Sequence, residues 1–318
     1  MAKTVTVTVP ATTANLGPGF DCIGAALTLY NSFKFSRLES GADSLVSITV
    51  TGAEAKRVRA DESNLVYQAF VKLYKQLDQT VPPVQIKIQL GVPLARGLGS
   101  SATAIVGGLV GANQLAGSPL DQTEVMELAI ALEGHPDNVV PALLGGCCLA
   151  ASREGNEPQR RQEREEWEIC DVSWDDSVVP VVAIPDFELS TQEARRVLPV
   201  QVSRADAIFN TAHLGLLVRG LETGRGDWLR AALQDRLHQP YRQVLIPGYE
   251  GVRSAAMAAG AYGMVISGAG PTLLALVDTA QAAAVETAMS KAWQQEGITA
   301  QMRSLSIDSQ GARSSIGE

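Results

Sequence analysis

The stretch that decides the fold of this chain is residues 92–103, Val92-Pro93-Leu94-Ala95-Arg96-Gly97-Leu98-Gly99-Ser100-Ser101-Ala102-Thr103. Gly97 and Gly99 let the backbone approach a ligand without a clash at Cβ. Their N–H groups, and the N-terminus of the helix expected to follow, would point at one spot and form an anion site. Ser100 and Ser101 add hydroxyls for phosphate oxygens or a magnesium ion. The stretch is neither a Walker A motif nor GxGxxG. It predicts a phosphate-binding loop, and the alternative is a plain strand-to-helix turn with a serine N-cap.

The residues around this stretch predict strands mixed with helices. Val84, Ile86, Ile88 and Leu90 alternate with other residues, which is typical of a half-buried strand. Residues 102–116 are rich in small side chains and predict a helix that packs closely. Apolar spacing predicts further helices over 65–77, 205–221, 228–237 and 281–295, and further strands at 5–9, 45–50, 178–184, 262–267 and 272–277. This mixture in both halves indicates an α+β protein.

Two other motifs stand on either side of the loop. Residues 10–21 read Pro-Ala-Thr-Thr-Ala-Asn-Leu-Gly-Pro-Gly-Phe-Asp, and residues 267–272 read Ser-Gly-Ala-Gly-Pro-Thr. Each glycine cluster alone could be a turn. All three motifs, in this order, resemble the substrate, phosphate-binding and C-terminal glycine motifs of the GHMP kinases.

The resemblance implies a two-domain GHMP kinase fold. Its parts are an N-terminal ribosomal-protein-S5-like, ATP-binding domain over residues 1–155 and a C-terminal ferredoxin-like α/β domain over residues 165–308. The polar segment 152–166 is the predicted domain junction. We expect residues 309–318 to form a frayed tail.

Three further segments resemble the branch of the family that phosphorylates homoserine. They are residues 133–141, 190–199 and 235–242. The resemblance implies transfer of phosphate from ATP to the hydroxyl of L-homoserine, giving O-phospho-L-homoserine, in threonine biosynthesis. A mevalonate- or shikimate-type kinase is the alternative within the family. A family member that only senses a ligand, and a nicotinamide-binding protein, are the alternatives outside this activity.

The charged residues of these segments suit a zwitterionic substrate. Asp21 can pair with an ammonium group, and Asn15 can hydrogen-bond to an amide-like or hydroxyl group. Arg195 and Arg242 each offer a planar fork for a carboxylate. His238 has a plainer interpretation as a cap at a helix end. The predicted substrate-binding residues are Asn15, Asp21, His135, Thr191, Arg195 and Arg242.

The resemblance also implies where ATP and Mg²⁺ bind. ATP would lie over residues 93–103, with Asn64 near the adenine. Ser101 and Glu127 would hold Mg²⁺. Without the resemblance, Glu127 would pass for a solvent-facing charge on a helix.

The group that receives the hydroxyl proton stays open between two residues. Asp137 is a candidate base because it is a carboxylate. The resemblance implies instead that Asn138 orients the hydroxyl while the proton passes to the phosphate. We favour orientation by Asn138, because a loose transition state delays the need for a strong base.

The composition argues against several other classes of protein. The chain has 318 residues and a net charge of −8, which disfavours general nucleic-acid binding. It has no apolar run of about 18 residues to span a membrane and no signal-peptide pattern. Its four cysteines and three histidines lack disulfide or zinc-site spacing. We expect a cytoplasmic enzyme, and the family suggests a homodimer.

Overall fold

The computed structural model describes residues 4–38, 45–153 and 166–317, which form two sheets with flanking helices. The strands are β1 (Thr4–Ala14), β2 (Ile23–Arg37), β3 (Val46–Thr51), β4 (Val84–Gln89), β5 (Cys147–Arg153), β6 (Glu166–Val172), β7 (Val178–Pro185), β8 (Gly263–Ile266), β9 (Leu273–Asp278), β10 (Ala300–Ser304) and β11 (Arg313–Gly317). The helices are α1 (Leu65–Gln76), α2 (Ser100–Ala116), α3 (Gln122–Glu133), α4 (Pro136–Leu144), α5 (Thr191–Arg196), α6 (Arg204–Thr223), α7 (Gly226–Ala232), α8 (Gln239–Arg242), α9 (Tyr249–Ala258) and α10 (Ala282–Gln295). None of the helices described here combines the length and the apolar character that crossing a bilayer requires.

Seven strands form the sheet of the N-terminal domain. Their order is β11-β1-β2-β4-β3, with β5 beside β2 and β6 beside β5. Helices α1 to α4 pack on one face of this sheet around a common apolar core. α2 lies close to β2. A Cβ on Gly107 would come within 2.4 Å of the Phe33 ring, and a Cβ on Gly111 within 2.2 Å of the Phe35 ring. The small residues of 102–116 therefore serve close packing, as predicted.

The C-terminal domain is built on a four-stranded antiparallel sheet. The strand order is β10-β7-β9-β8. Along the chain, β7 is followed by helices, then β8, β9, α10 and β10, which is the ferredoxin-like arrangement. α9 and α10 bury Val252, Met289 and Trp293 against this sheet. The predicted two-domain α+β fold is confirmed, including its ferredoxin-like part.

The domain boundary lies later than predicted. Residues 154–165, the centre of the expected junction, are outside the described residues. β6 follows them and pairs antiparallel with β5 over its whole length, so residues 166–172 belong to the N-terminal sheet. The chain enters the second domain only with β7. β6 was not predicted from the sequence, because the polar segment 152–166 resembles a solvated junction.

The prediction that residues 309–318 form a frayed tail is also wrong. β11 pairs antiparallel with the first five residues of β1. Its own five residues are all exposed, so no apolar alternation announces the strand in the sequence. The segment that leads to β11 is held by the carboxylate of Asp308. This carboxylate accepts hydrogen bonds from the N–H groups of Gln310 and Gly311 and from the Tyr30 hydroxyl.

The three motifs of the sequence meet between the two domains. The N–H of Thr12 donates to the carbonyl of Leu98 at 3.1 Å, which joins the N-terminal motif to the loop. The N–H of Gly268 donates to the carbonyl of Ala14 at 3.1 Å, which joins the C-terminal glycine motif to the same strand. An apolar core with residues from both domains lies at this junction. The fold therefore brings distant segments to one place.

Candidate active site

A cleft of about 350 Å³ opens where the three motifs meet. Its walls come from the N-terminal motif, the loop of residues 93–101 before and at the start of α2, the start of α4, α5, and the turn between β8 and β9. The predicted site residues that line it are Asn15, Asp21, Ala95, Arg96, Gly97, Gly99, Ser100, Ser101, His135, Asp137, Asn138, Thr191, Arg195 and Arg242. Residues of both domains thus surround one space.

The loop is shaped by left-handed backbone at three positions. Ala95, Gly97 and Gly99 have φ of 52°, 74° and 66°. A Cβ on Gly99 would come 1.9 Å from the hydroxyl oxygen of Thr12, so the position has no room for a side chain. α2 begins directly after it, at Ser100. The N-terminus of a 17-residue helix therefore borders the cleft and favours an anion there.

Some residues of the predicted ATP-binding stretch serve the core. Leu98, Ala102 and Thr103 are almost completely buried. The Thr103 hydroxyl donates to the carbonyl of Ser100 at 2.8 Å and accepts from the side chain of Asn31 at 2.8 Å. These side chains therefore hold the loop against the sheet. Sequence reasoning could not separate them from the residues that face the cleft.

Arg96 also has a structural role. Its Nε donates to the carbonyl of Pro185 at 3.0 Å, its Nη1 to that of Leu94 at 2.9 Å, and its Nη2 to that of Asp186 at 2.9 Å. All three nitrogens are engaged, and the side chain is buried. Arg96 thus ties the loop to the end of β7 in the other domain, and its part in ATP binding stays a prediction.

A second pocket of about 240 Å³ adjoins the cleft and shares loop residues with it. Asn64, predicted to lie near the adenine, is among its lining residues. The Asn64 Oδ1 accepts from the N–H of Val66 at 3.0 Å, and its Nδ2 donates to the carbonyl of Arg59 at 2.6 Å. Its side chain therefore caps α1 and shapes the pocket. The other lining side chains are mostly apolar, which suits a flat aromatic ring.

Acidic groups gather at one side of the cleft. Ligand atoms of Asp21, His135 and Asp137 all lie within 4.8 Å of one another. Nδ1 of His135 is 2.5 Å from Oδ1 of Asp137. Burial opposes charge on His135, but the hydrogen bond to Asp137 and the surrounding carboxylates raise its pKa above the ordinary value. Two carboxylates this close to each other favour a cationic group between them.

Basic side chains face this acidic side of the cleft. The guanidinium of Arg195 contacts Asp21 in bidentate fashion, at 3.0 and 2.9 Å. Arg242 is only 2% exposed and donates to the carbonyls of Ala194 and Gly268 at 3.2 and 3.1 Å. Among the residues that the structure describes, it has no carboxylate within ion-pair distance, and burial lowers its pKa to about 10. A buried cation beside the cleft attracts an anionic ligand.

Asn15 has protein partners for both ends of its amide. Its Oδ1 accepts from the N–H of Asp21 at 2.9 Å, and its Nδ2 donates to the carbonyl of Gly268 at 2.9 Å. Its φ is 72°, which a short amide side chain tolerates better than most. Asn15 therefore holds Asp21 in place and also lines the cleft, and its contact with the substrate stays a prediction.

The Asn138 amide is oriented by two neighbours. Its Oδ1 accepts from the Thr12 hydroxyl at 2.7 Å, and its Nδ2 donates to Oδ1 of Asp137 at 3.3 Å. Since a carboxylate can only accept, the second contact fixes which end of the amide is nitrogen. Asn138 and Asp137 thus present adjacent polar groups to the cleft.

Ser101 contacts a carboxylate that the sequence analysis did not single out. The Ser101 hydroxyl donates to Oε2 of Glu133 at 2.9 Å, and Glu133 lines the cleft. Glu127 lies six residues earlier on α3, about 9 Å along the helix axis, and it is not among the residues lining the cleft. Burial raises the pKa of Glu133, although the Ser101 hydrogen bond opposes this. Glu133 is therefore the carboxylate that contacts Ser101 here, and the role of Glu127 as a Mg²⁺ ligand stays a prediction.

Comparison with known proteins identifies the family. The family model "GHMP kinases N terminal domain" matches residues 64–146, and "GHMP kinases C terminal" matches residues 217–295. The chain belongs to the GHMP kinase family. As a kinase, it uses ATP as its co-substrate.

Relatives of this GHMP kinase match over nearly their whole length. A homoserine kinase of Microchaete diplosiphon is 71% identical over 99% of this chain and 98% of that protein. A homoserine kinase of Trichormus variabilis is 70% identical over 98% of this chain and 99% of that protein. The crystal structure of homoserine kinase from Cytophaga hutchinsonii superposes with a TM-score of 0.85 at 28% identity, covering 98% of this chain and 97% of that one.

Sequence reasoning missed two site residues of this GHMP kinase. Thr12 lies inside the N-terminal motif, and Glu133 opens the segment 133–141. Their place in these motifs hinted at a role in the site. The role itself follows only from the contacts of Thr12 with Asn138 and of Glu133 with Ser101.

Proposed function

We propose that this GHMP kinase is a homoserine kinase, which transfers the γ-phosphoryl group of ATP to the hydroxyl of L-homoserine. The products are O-phospho-L-homoserine and ADP, and the reaction belongs to threonine biosynthesis. The observation that carries the proposal is the pairing of opposite charges in one cleft, with carboxylates of Asp21 and Asp137 facing the guanidinium groups of Arg195 and Arg242. A zwitterion is the ligand that such a cleft favours. The full-length similarity to homoserine kinases supports the same substrate.

The substrate would replace an existing ion pair. In the free protein, Asp21 and Arg195 neutralise each other through two hydrogen bonds. When homoserine binds, its ammonium group would neutralise Asp21, and its carboxylate would neutralise Arg195 and Arg242. The ligand would then lie between the acidic and the basic side chains. An alcohol without these charges would leave Arg242 buried and without an anion, which is costly. The cleft therefore selects an amino acid over an uncharged sugar.

The nucleotide would occupy both pockets. The adenine fits the apolar pocket next to Asn64, and the phosphates fit the loop at the start of α2. Backbone N–H groups of the loop and the helix dipole favour the negative phosphates and the charge that develops during transfer. His135 and Thr191 border the substrate end. With both ligands bound in this way, the γ-phosphate would face the homoserine hydroxyl.

We assign the Mg²⁺ ligands to Ser101 and Glu133. A hydroxyl and a carboxylate are oxygen donors of the kind that Mg²⁺ prefers, and here they lie 2.9 Å apart at the edge of the phosphate loop. When bound, Mg²⁺ would neutralise phosphate charge. Glu127, the ligand implied by the resemblance, lies on the same helix, α3, and is the alternative ligand.

Asn138 is the proposed orienting group for the reacting hydroxyl. Thr12 and Asp137 hold its amide from both ends, so it can direct the hydroxyl without taking the proton. Phosphoryl transfer requires placement and charge neutralisation more than a strong base. The proton would therefore pass to the phosphate. Asp137, already bonded to His135, would act on the ammonium group of the substrate.

A coupled assay that follows ADP release tests the proposed function. Purified protein with Mg-ATP should turn over L-homoserine, and phosphorus NMR should identify the phosphate ester. Mevalonate, shikimate and galactose are the comparison substrates. If one of these alcohols reacts well while homoserine is inert, the substrate assignment is wrong and only the family assignment survives.

A further inference from the structure

We infer that His238 is a positioning residue, which holds Arg242 in the orientation that receives the substrate carboxylate; the inference rests on the proposed homoserine kinase function. His238 is fully buried. Its Nε2 lies 2.8 Å from the carbonyl oxygen of Gly17, and its Nδ1 lies 3.3 Å from Nη1 of Arg242. Its ring stacks on Phe20 with 5.0 Å between ring centroids. The imidazole thus joins the N-terminal motif to the buried arginine.

The neighbours of His238 select one form of the imidazole. A carbonyl oxygen can only accept, so Nε2 carries the hydrogen; a guanidinium can only donate, so Nδ1 offers its lone pair to Arg242. The nearest carboxylate oxygen, from Asp235, is farther from Nε2, at 3.6 Å. Burial lowers the pKa of His238, with Asp235 acting against it. The ring is therefore neutral and has its hydrogen on Nε2.

This form of His238 completes the support of Arg242. The guanidinium donates to the carbonyls of Ala194 and Gly268 and to Nδ1 of His238, and its carbon lies 5.0 Å from the centre of the Phe20 ring. Among the described hydrogen bonds of the chain, none uses Nη2 of Arg242, while the residue lines the cleft. The donors that remain can face a carboxylate. Without His238, Nη1 would lose a partner and the fork could turn away.

A role confined to packing would have a different signature. If His238 only filled space or capped α8, its replacement would lower stability and would affect all substrates alike. Positioning of Arg242 instead predicts a defect that depends on the substrate carboxylate. It also predicts that an acceptor at the place of Nδ1 repairs most of the defect.

Two variants separate the two ring nitrogens. In His238→Asn, the amide oxygen can stand near the place of Nδ1 and accept from Arg242. In His238→Gln, the longer amide reaches the place of Nε2 and can donate to Gly17, but nothing accepts from Arg242. Loss of one hydrogen bond to a charged group predicts that H238Q raises the KM for homoserine about tenfold or more. H238N should raise it much less, and the kcat and the KM for ATP should change little in both variants.

The comparison substrate is 3-aminopropan-1-ol, which is homoserine without its carboxylate. In H238Q, kcat/KM for homoserine should fall relative to kcat/KM for this amine, so the preference for the amino acid shrinks about tenfold. Phe20→Leu removes the ring against which Arg242 packs and should act in the same direction. The control is His213→Gln, because His213 also stacks on a phenyl ring, that of Phe209, but does not line the cleft.

Equal KM values for homoserine in H238Q and wild-type protein would overturn the inference, as would an equal loss with both substrates. An equal defect in H238N and H238Q would do the same, because the acceptor would then not matter. Melting curves establish that each variant is folded. If H238Q is not, H238N carries the test, and a large loss of the preference for homoserine over the amine in folded H238N would overturn the inference. Wild-type protein that is inert with homoserine would instead overturn the proposed function itself.

Discussion

At the scale of single residues, the Thr12 hydroxyl determines how the Asn138 amide faces the cleft. Thr12→Val keeps the shape but removes the hydrogen bond at 2.7 Å, so the amide can rotate. We expect kcat with homoserine to fall roughly 5- to 30-fold, which corresponds to about 1–2 kcal/mol for one hydrogen bond. Thr12→Ser retains the hydroxyl and is the matched control. Steady-state kinetics check this, and an unchanged kcat in T12V would remove Thr12 from the site.

Arg195 controls binding of the substrate and not of the nucleotide. Arg195→Ala should lower kcat/KM for homoserine roughly 5- to 150-fold, or about 1–3 kcal/mol, because a carboxylate loses a charge-assisted partner. Arg195→Lys should recover little, since a point charge does not reproduce the planar fork. The neighbouring Arg196, exposed and outside the cleft, provides the control Arg196→Ala. Calorimetry with ATP should give the same affinity in all three variants; a weakened ATP affinity in R195A would reverse the proposed orientation of the two substrates.

His238 makes stability depend on pH. Its pKa in the folded protein is below the ordinary value of 6.5, so the unfolded chain takes up a proton more readily than the folded one. The stabilisation is fully present above about pH 6.5 and is lost as pH falls below it. Urea unfolding at several pH values should show this loss. His238→Gln should reduce the slope between about pH 6.5 and 5, and an identical slope would exclude a buried neutral imidazole.

At the scale of elements, the turn into α2 depends on the missing side chain of Gly99. Gly99→Ala adds a Cβ 1.9 Å from the Thr12 hydroxyl and should greatly weaken ATP binding, because the loop must move. Gly117→Ala at the other end of α2 has a similar positive φ, of 96°, and nothing within 4 Å of the added Cβ. It should cost only the strain of the left-handed backbone, about 1–2 kcal/mol. Equal ATP affinities in the two folded variants, measured by calorimetry, would contradict the phosphate-loop assignment.

At the scale of the whole molecule, the end of the chain closes the N-terminal sheet. Removal of residues 312–318 takes away β11 and leaves the outer edge of β1 without its partner. We expect a lower midpoint of thermal unfolding, because backbone hydrogen bonds and edge protection are lost together. Ile316→Ser is the control, since its side chain is exposed and the strand pairing remains. A truncated protein with the same midpoint as the intact chain would show that β11 adds no stability.

The contact between the two domains also depends on Arg96, which the sequence analysis predicted to bind ATP. Arg96 donates to carbonyls at the end of β7, so it fixes the loop relative to the C-terminal domain. Thermal unfolding and ATP affinity should therefore change together in Arg96→Met, which keeps the aliphatic stem but loses every donor. An unaltered ATP affinity in this variant would separate the loop from the domain contact.

The sequence by itself determined the family, the α+β class with two domains, the glycine-serine loop before α2 and most of the charged residues of the cleft. These depend on local patterns: apolar periodicity, glycines at positions of left-handed backbone, and motifs in a fixed order. Only the tertiary structure showed that Glu133 contacts Ser101, because the phase of α3 decides which of its side chains reach α2. It also decided that the polar strands β6 and β11 join the sheet, since backbone pairing at an edge needs no apolar side chain. The same holds for Asn15 and Arg96, whose polar groups look free in the sequence but find backbone partners far away along the chain.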